Sequence, residues 1–101
     1  ETAVRWNIPV VIVVNNNPSG NQSKLGYDQV YGGKQTEQAQ ELWVWTDVNI
    51  AKVAETFGAQ GLRVEKPSEF APALEKAIAS RRTTIIDVVT DMDAQAPLPI
   101  G

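Results

Sequence analysis

A chain of 101 residues with a net charge of −3, 43% hydrophobic residues and neither cysteine nor histidine is the size of one domain and buries about two thirds of its unfolded surface. The missing residue types exclude disulfides, thiolate nucleophiles, imidazole acid–base chemistry and most zinc sites, so any metal must be held by oxygen. A negative balance whose single adjacent basic pair is Arg81-Arg82 argues against nucleic acid or an anionic membrane as a partner, and no stretch approaches the roughly 20 apolar residues of a membrane span.

Residues 1 to 5 look like the last turn of a helix. Residues 8 to 14 are expected to form the first strand: Val10, Val11, Ile12, Val13 and Val14 are β-branched without interruption, which suits a strand covered on both faces, as in a parallel sheet. Asn15, Asn16 and Asn17 then fall just past its carboxyl end, the edge where open α/β sheets bind ligands and where amide and backbone oxygens can coordinate a hard cation. From 15 to 46 the glycines at 20, 26, 32 and 33 and the glutamines at 22, 29, 35, 38 and 40 predict an irregular connection with a short helix near 36 to 43.

Beyond this connection the periodicity sharpens. Asp47 is the expected cap of a helix whose apolar residues Ile50, Val53, Ala54 and Phe57 share one face, with Gly58 as its stop. Gly61 to Glu65 alternates as a short strand. Ser68 is the expected cap of a second helix with Phe70, Leu74, Ala77 and Ile78 on one face and Pro72 in its opening turns, where a proline is tolerated. Residues 83 to 89 form a third β-branched strand. The succession β-loop-α-β-α-β predicts an α/β fold, a partial Rossmann-like three-layer domain with a parallel sheet and right-handed crossovers, over residues 1 to 93. Residues 94 to 101, with Pro97 and Pro99, read as an extended C-terminal tail.

The segment Thr2-Ala3-Val4-Arg5, a variable pair, Ile8-Pro9, a five-residue apolar strand and an Asn pair resembles the second half of the thiamin diphosphate signature, which opens with Gly-Asp-Gly and closes on Asn-Asn. Asp47 to Ala59 and Thr83 to Val89 are also similar to this family, in its acetolactate-synthase and 2-keto acid decarboxylase branch. The resemblance covers nearly the whole chain, without the Gly-Asp-Gly half. It identifies residues 1 to 93 with the C-terminal portion of a pyrophosphate-binding domain. It implies a decarboxylase or carboligase that uses thiamin diphosphate and Mg²⁺ to remove carbon dioxide from a 2-keto acid and then protonate the product or join it to a second carbonyl.

In this family the metal is held by the Asp of Gly-Asp-Gly, the second Asn of the pair and the carbonyl two positions on. Counting from Pro9 makes the pair Asn16-Asn17, with Asn17 and the Ser19 carbonyl as ligands, and this is the preferred register. Counting back from Gly20 makes it Asn15-Asn16, with Asn16 and the Pro18 carbonyl. Asn16, Asn17, Ser19 and Gly20 are therefore the expected cofactor-binding residues, and none is expected to be catalytic. Two neutral ligands cannot replace the carboxylate, so this chain alone should hold the metal poorly. Three asparagines also make an ordinary turn without any ligand.

Other polar residues are weaker candidates. Gln22 and Ser23 stand where some relatives place a side chain over the reacting carbon, although ordinary loop polarity explains them better. Tyr27, Tyr31, Trp43 and Trp45 are expected to pack the connection. Asp87, Asp91 and Asp93 lie in and after the third strand, where such a cluster is more often solvated than metal-bound.

The resemblance further implies that the site is completed by the missing remainder of an enzyme, including a pyrimidine-binding domain that supplies the activating glutamate, in a homodimer or homotetramer in the cytoplasm. Three strands with exposed edges, and an opening on a helix end, lead to the expectation of a fragment or split-gene subunit. The alternative is a non-catalytic flavodoxin-like or Rossmann-like binding module, since fold alone does not fix function.

Overall fold

The computed structural model describes residues 1–34 and 36–91. Asp93 and the expected tail at 94 to 101 lie outside the described residues. In chain order the elements are α1 (Thr2–Arg5), β1 (Val11–Asn16), α2 (Asn21–Tyr31), α3 (Glu37–Gln40), α4 (Ile50–Thr56), β2 (Gln60–Val64), a 3₁₀ turn (Pro67–Glu69), α5 (Phe70–Ser80) and β3 (Thr84–Val89). They form two compact units, one of residues 1–16 and 48–90, the other of Asn17–Asp47 with Asp91.

The first unit is built on the expected parallel sheet, in the order β1-β3-β2. Helix α1 ends in a Schellman arrangement: Asn7, at φ 55°, donates its N–H to the Val4 carbonyl, and Ile8 donates to Ala3. Asparagine tolerates this left-handed backbone better than most residues. Pro9 brings no N–H, and the ladder starts only where Thr84 N–H donates to the Val10 carbonyl at 2.9 Å. Strand β1 consequently begins later than the apolar run predicts and reaches further, with Asn15 opposite Val88 and Asn16 opposite Val89. The first two asparagines belong to the strand and do not follow it.

Side-chain alternation divides the sheet. Leu62, Val64, Ile86 and Val88 face α5, where Phe70, Ala73, Leu74 and Ala77 complete the core. Ala73 takes the place that periodicity gives to Ile78, which is exposed. The opposite face meets α4 through Ala51 and Ala54, both buried, whereas the expected contact residues Val53 and Phe57 are exposed. The rotation has a steric cause: α4 lies so close to Gly61 that a Cβ there would collide with the Ala51 backbone, and only alanine fits such an approach.

The caps also differ from expectation. Asn49, in place of Asp47, caps α4, its side-chain oxygen accepting from Lys52 N–H at 3.1 Å. Glu69, in place of Ser68, secures the turn before α5 by accepting from Lys66 N–H at 2.8 Å.

In the second unit the predicted irregular connection contains an 11-residue helix, α2. Its support comes from neighbours one turn apart: Lys24 and Asp28 pair at 2.9 Å, the Tyr27 and Tyr31 rings lie 4.4 Å apart, and Gly32 closes the helix at φ 66°. Trp43 is 3% exposed and packs against Tyr27 at 4.8 Å between ring centroids.

Candidate functional site

The end of β1 is polar because its ladder continues past the apolar run. Thr90 N–H donates to the Asn16 carbonyl at 3.0 Å, and Thr90 Oγ1 donates to Asn15 Oδ1 at 2.6 Å. Asn16 sits on the α4 side of the sheet, the side of Asp87, two residues before its own register partner Val89. Its Nδ2 donates to Asp87 Oδ1 and to the Val48 carbonyl, each at 2.9 Å. Both partners only accept, so the amide is chemically forced into this orientation: reversing it would set three acceptor oxygens against one another. The Asn16 Oδ1 points away from both and accepts no hydrogen bond among the described residues.

Asp87 corrects the sequence reading. It is 0% exposed and not part of a solvated cluster. Asp91 is exposed and Asp93 lies outside the described residues. Asp87 Oδ2 accepts from the Ile50 and Ala51 N–H groups at 2.9 and 3.4 Å and from Arg63 Nη1 at 3.5 Å. A buried carboxylate persists only when paired and hydrogen-bonded. Here two N–H groups at the opening of α4, a guanidinium and an amide supply that environment. The signal was in the sequence: an acidic residue set directly between Ile86 and Val88 is inside a strand and needs partners.

In the second unit Asn17 and Ser19 form a closed local turn. Ser19 donates from its hydroxyl to Asn17 Oδ1 at 2.7 Å and from its N–H to the Asn17 carbonyl at 2.6 Å. Ser19 is buried and bridges antiparallel to Val44. Gly20 donates to the Trp43 carbonyl and Trp45 to the Pro18 carbonyl, at 2.6 and 3.1 Å. A Cβ on Gly20 would meet Trp43 Cβ at 3.4 Å. The carboxamide oxygen of Asn17 therefore already has a donor, and that of Asn16 does not. Ser23 is exposed on α2.

The chemistry available from Asn16 is that of a neutral, hard oxygen at the carboxyl end of a parallel strand, which suits Mg²⁺ better than a soft metal. Among the described residues no group of three or more acidic side chains is placed to hold a metal. The sheet unit also has a small cavity of about 90 Å³, lined by Val4, Asn7, Gly58, Arg81, Arg82 and Thr83. It lies at the opposite end of the strands and shares no residue with the asparagines.

A family model described as "Thiamine pyrophosphate enzyme, C-terminal TPP binding domain" matches residues 1–88. The chain belongs to the thiamine pyrophosphate enzyme family. Similar proteins include a 2-hydroxyacyl-CoA lyase of Arabidopsis thaliana, 33% identical over 97 residues that make up 95% of this chain and 17% of that protein. An acetolactate synthase of Bacillus subtilis is 34% identical over 91 residues, 90% of this chain and 15% of that protein. The acetolactate synthase large subunit of Mycobacterium tuberculosis is 30% identical over 97 residues, 96% and 17% respectively. The chain thus spans about one sixth of the length of the curated relatives it matches. For a C-terminal TPP-binding domain the fold agrees with expectation: a three-stranded parallel sheet with its asparagines at the carboxyl edge. No helix among the described residues is long and apolar enough to cross a membrane.

Proposed function

We propose that this chain anchors the diphosphate of thiamin diphosphate through Mg²⁺ in a decarboxylase or carboligase that acts on 2-keto acids. The observation that carries the reading is the forced orientation of Asn16, whose Nδ2 is held by Asp87 and Val48 and whose oxygen is left to face a ligand. Asn16 would supply one neutral corner of an octahedral shell, and the diphosphate, water and a carboxylate from outside this chain would supply others. The Pro18 carbonyl is its partner by sequence pattern. We take Asn16 over Asn17 because the Asn17 oxygen already accepts from Ser19.

Bound thiamin diphosphate supplies the carbon nucleophile and electron sink that 2-keto acid decarboxylation needs. This chain's residues bind and orient. Asn16 fixes the cation, and β1 and β3 give that contact a rigid base. The remaining domains belong to the same proposal, supported by relatives that are several times longer than this chain; a two- or four-subunit assembly and a cytoplasmic setting rest on the family resemblance alone.

The test is Mg²⁺ titration of the intact protein at saturating thiamin diphosphate, followed by tryptophan fluorescence, with Asn16→Ala and Asn17→Ala alongside. Loss confined to Asn16→Ala supports the assignment. Loss confined to Asn17→Ala gives the register of Asn17 and Ser19. An unaltered protein that binds neither cofactor nor cation overturns the function and leaves a non-catalytic binding module.

A further inference from the structure

We infer that Asp87 is a positioning residue for the cation contact, aiming the Asn16 oxygen through the hydrogen bond to Asn16 Nδ2. The inference rests on the reading of Asn16 as an Mg²⁺ ligand. It goes beyond that reading by assigning a function to a carboxylate buried in a strand, 71 residues further along the chain.

The two oxygens of Asp87 have different work. Oδ2 accepts from Ile50 N–H, Ala51 N–H and Arg63, which accounts for the carboxylate as a support for α4. Oδ1 takes no part in that support and, among the described residues, accepts from Asn16 alone. A residue needed only to cap α4 would require one acceptor oxygen, as Asn49 shows at the same helix with its single carboxamide oxygen. The second oxygen is what fixes the amide. With Val48 it makes a purely accepting cradle, so Asn16 must present NH₂ inward and oxygen outward. Secondary partners of metal ligands commonly set ligand orientation in this way, at a cost of about 10–100-fold in affinity when lost.

Asp87→Asn separates the two roles. The new side chain keeps one acceptor oxygen, and the two backbone N–H groups with Arg63 claim it, which turns its NH₂ toward Asn16 Nδ2. Two donors then face each other, and neither orientation of the Asn16 carboxamide suits both neighbours: NH₂ inward meets the amide at 87, and oxygen inward meets the Val48 carbonyl. The outward oxygen is no longer held in place.

The experiment measures Mg²⁺ affinity at saturating thiamin diphosphate, and the apo melting temperature, for the intact wild-type protein, Asp87→Asn and Asn49→Ala, the last of which weakens the α4 cap without touching Asp87. We expect Asp87→Asn to lose at least tenfold in Mg²⁺ affinity and Asn49→Ala to stay within a few-fold of wild type. A purely structural carboxylate would lower the melting temperature of both variants and leave their affinities alike. Unchanged affinity in Asp87→Asn, or an equal loss in Asn49→Ala, overturns the inference. If Asp87→Asn fails to fold, the following measurement decides. The unaltered protein gives an independent arm: its Asn16 side-chain amide protons must be protected from solvent exchange, and their NMR signals must move on addition of Mg²⁺. Rapid exchange or unmoved signals overturn the inference whatever the variants do. Failure of the wild type to bind Mg²⁺ and thiamin diphosphate would instead defeat the functional proposal itself, so the two failures are distinguishable.

Discussion

Gly61 in β2 packs its bare Cα beneath the backbone of Ala51 in α4, where any Cβ would run into the Ala51 carbonyl. The contact sets the depth at which α4 lies on the sheet, and with it the position of the Ile50 and Ala51 N–H groups that Asp87 receives. Gly61→Ala should therefore lift α4 and destabilise the intact protein by about 1–3 kcal/mol, the usual cost of overpacking. Denaturant unfolding measures it. A loss within about 0.5 kcal/mol, the range of neutral surface changes, would show that the helix is not seated there.

Asn49 carries the other fixed point of α4, its side chain accepting from Lys52 N–H. Asn49→Ala should cost about 1 kcal/mol, as for lost N-caps generally. The change is expected in the melting temperature, with the far-ultraviolet spectrum of the folded state retained because Asp87 still receives the first turn.

Trp43 in the second unit buries an indole N–H that has no hydrogen-bond partner among the described residues. Removing an unpaired buried donor while keeping an aromatic ring should be nearly free, since its desolvation cost disappears with it. Trp43→Phe should change stability by less than about 1.5 kcal/mol, whereas Trp43→Ala should lose about 3–5 kcal/mol through the cavity left against Tyr27. The contrast between the two variants in thermal unfolding is the measurement, and equal losses would mean that the N–H is satisfied.

Arg81 ends α5 in a left-handed conformation at φ 52°, which a side chain adopts at a cost of about 1–2 kcal/mol. Glycine adopts it freely but enters the unfolded state with more entropy, which offsets about 0.4–1 kcal/mol. Arg81→Gly should accordingly raise stability by up to about 1.6 kcal/mol, read as a higher denaturant midpoint at unchanged slope.

The parallel sheet is legible in the sequence because β1 and β3 are β-branched runs, β2 alternates, and helix-length segments separate β2 from β3, a pattern that few other folds accommodate. The asparagines stand out for the same reason, as the abrupt polar end of such a run. Helix α2 is not legible. Its support from Lys24 with Asp28 and Tyr27 with Tyr31 is distributed over polar residues and glycines that read as a loop.

The two helix faces differ in how far periodicity finds them. On α5 Phe70, Leu74 and Ala77 face the core as expected, and Ala73 replaces the exposed Ile78; on α4 the close approach of helix to sheet buries Ala51 and the expected Ala54 and leaves the larger Val53 and Phe57 exposed. Asp87 illustrates a different limit. Its partner Asn16 comes from the first strand, and only the parallel register, with Val14 rather than Asn16 directly opposite Asp87, reveals that the two share a face.

Strands β1 and β2 each pair with β3 and not with each other. Among the described residues the central strand is therefore the last of the three in the chain, and the pairing of β1 with β3 and of β2 with β3 waits for Thr84 to Val89. The late strand also brings Asp87. On the proposed reading of Asn16, the pairing of β1 with β3 and the turning of the Asn16 oxygen outward are one event, since the Asp87 that holds the amide arrives with β3.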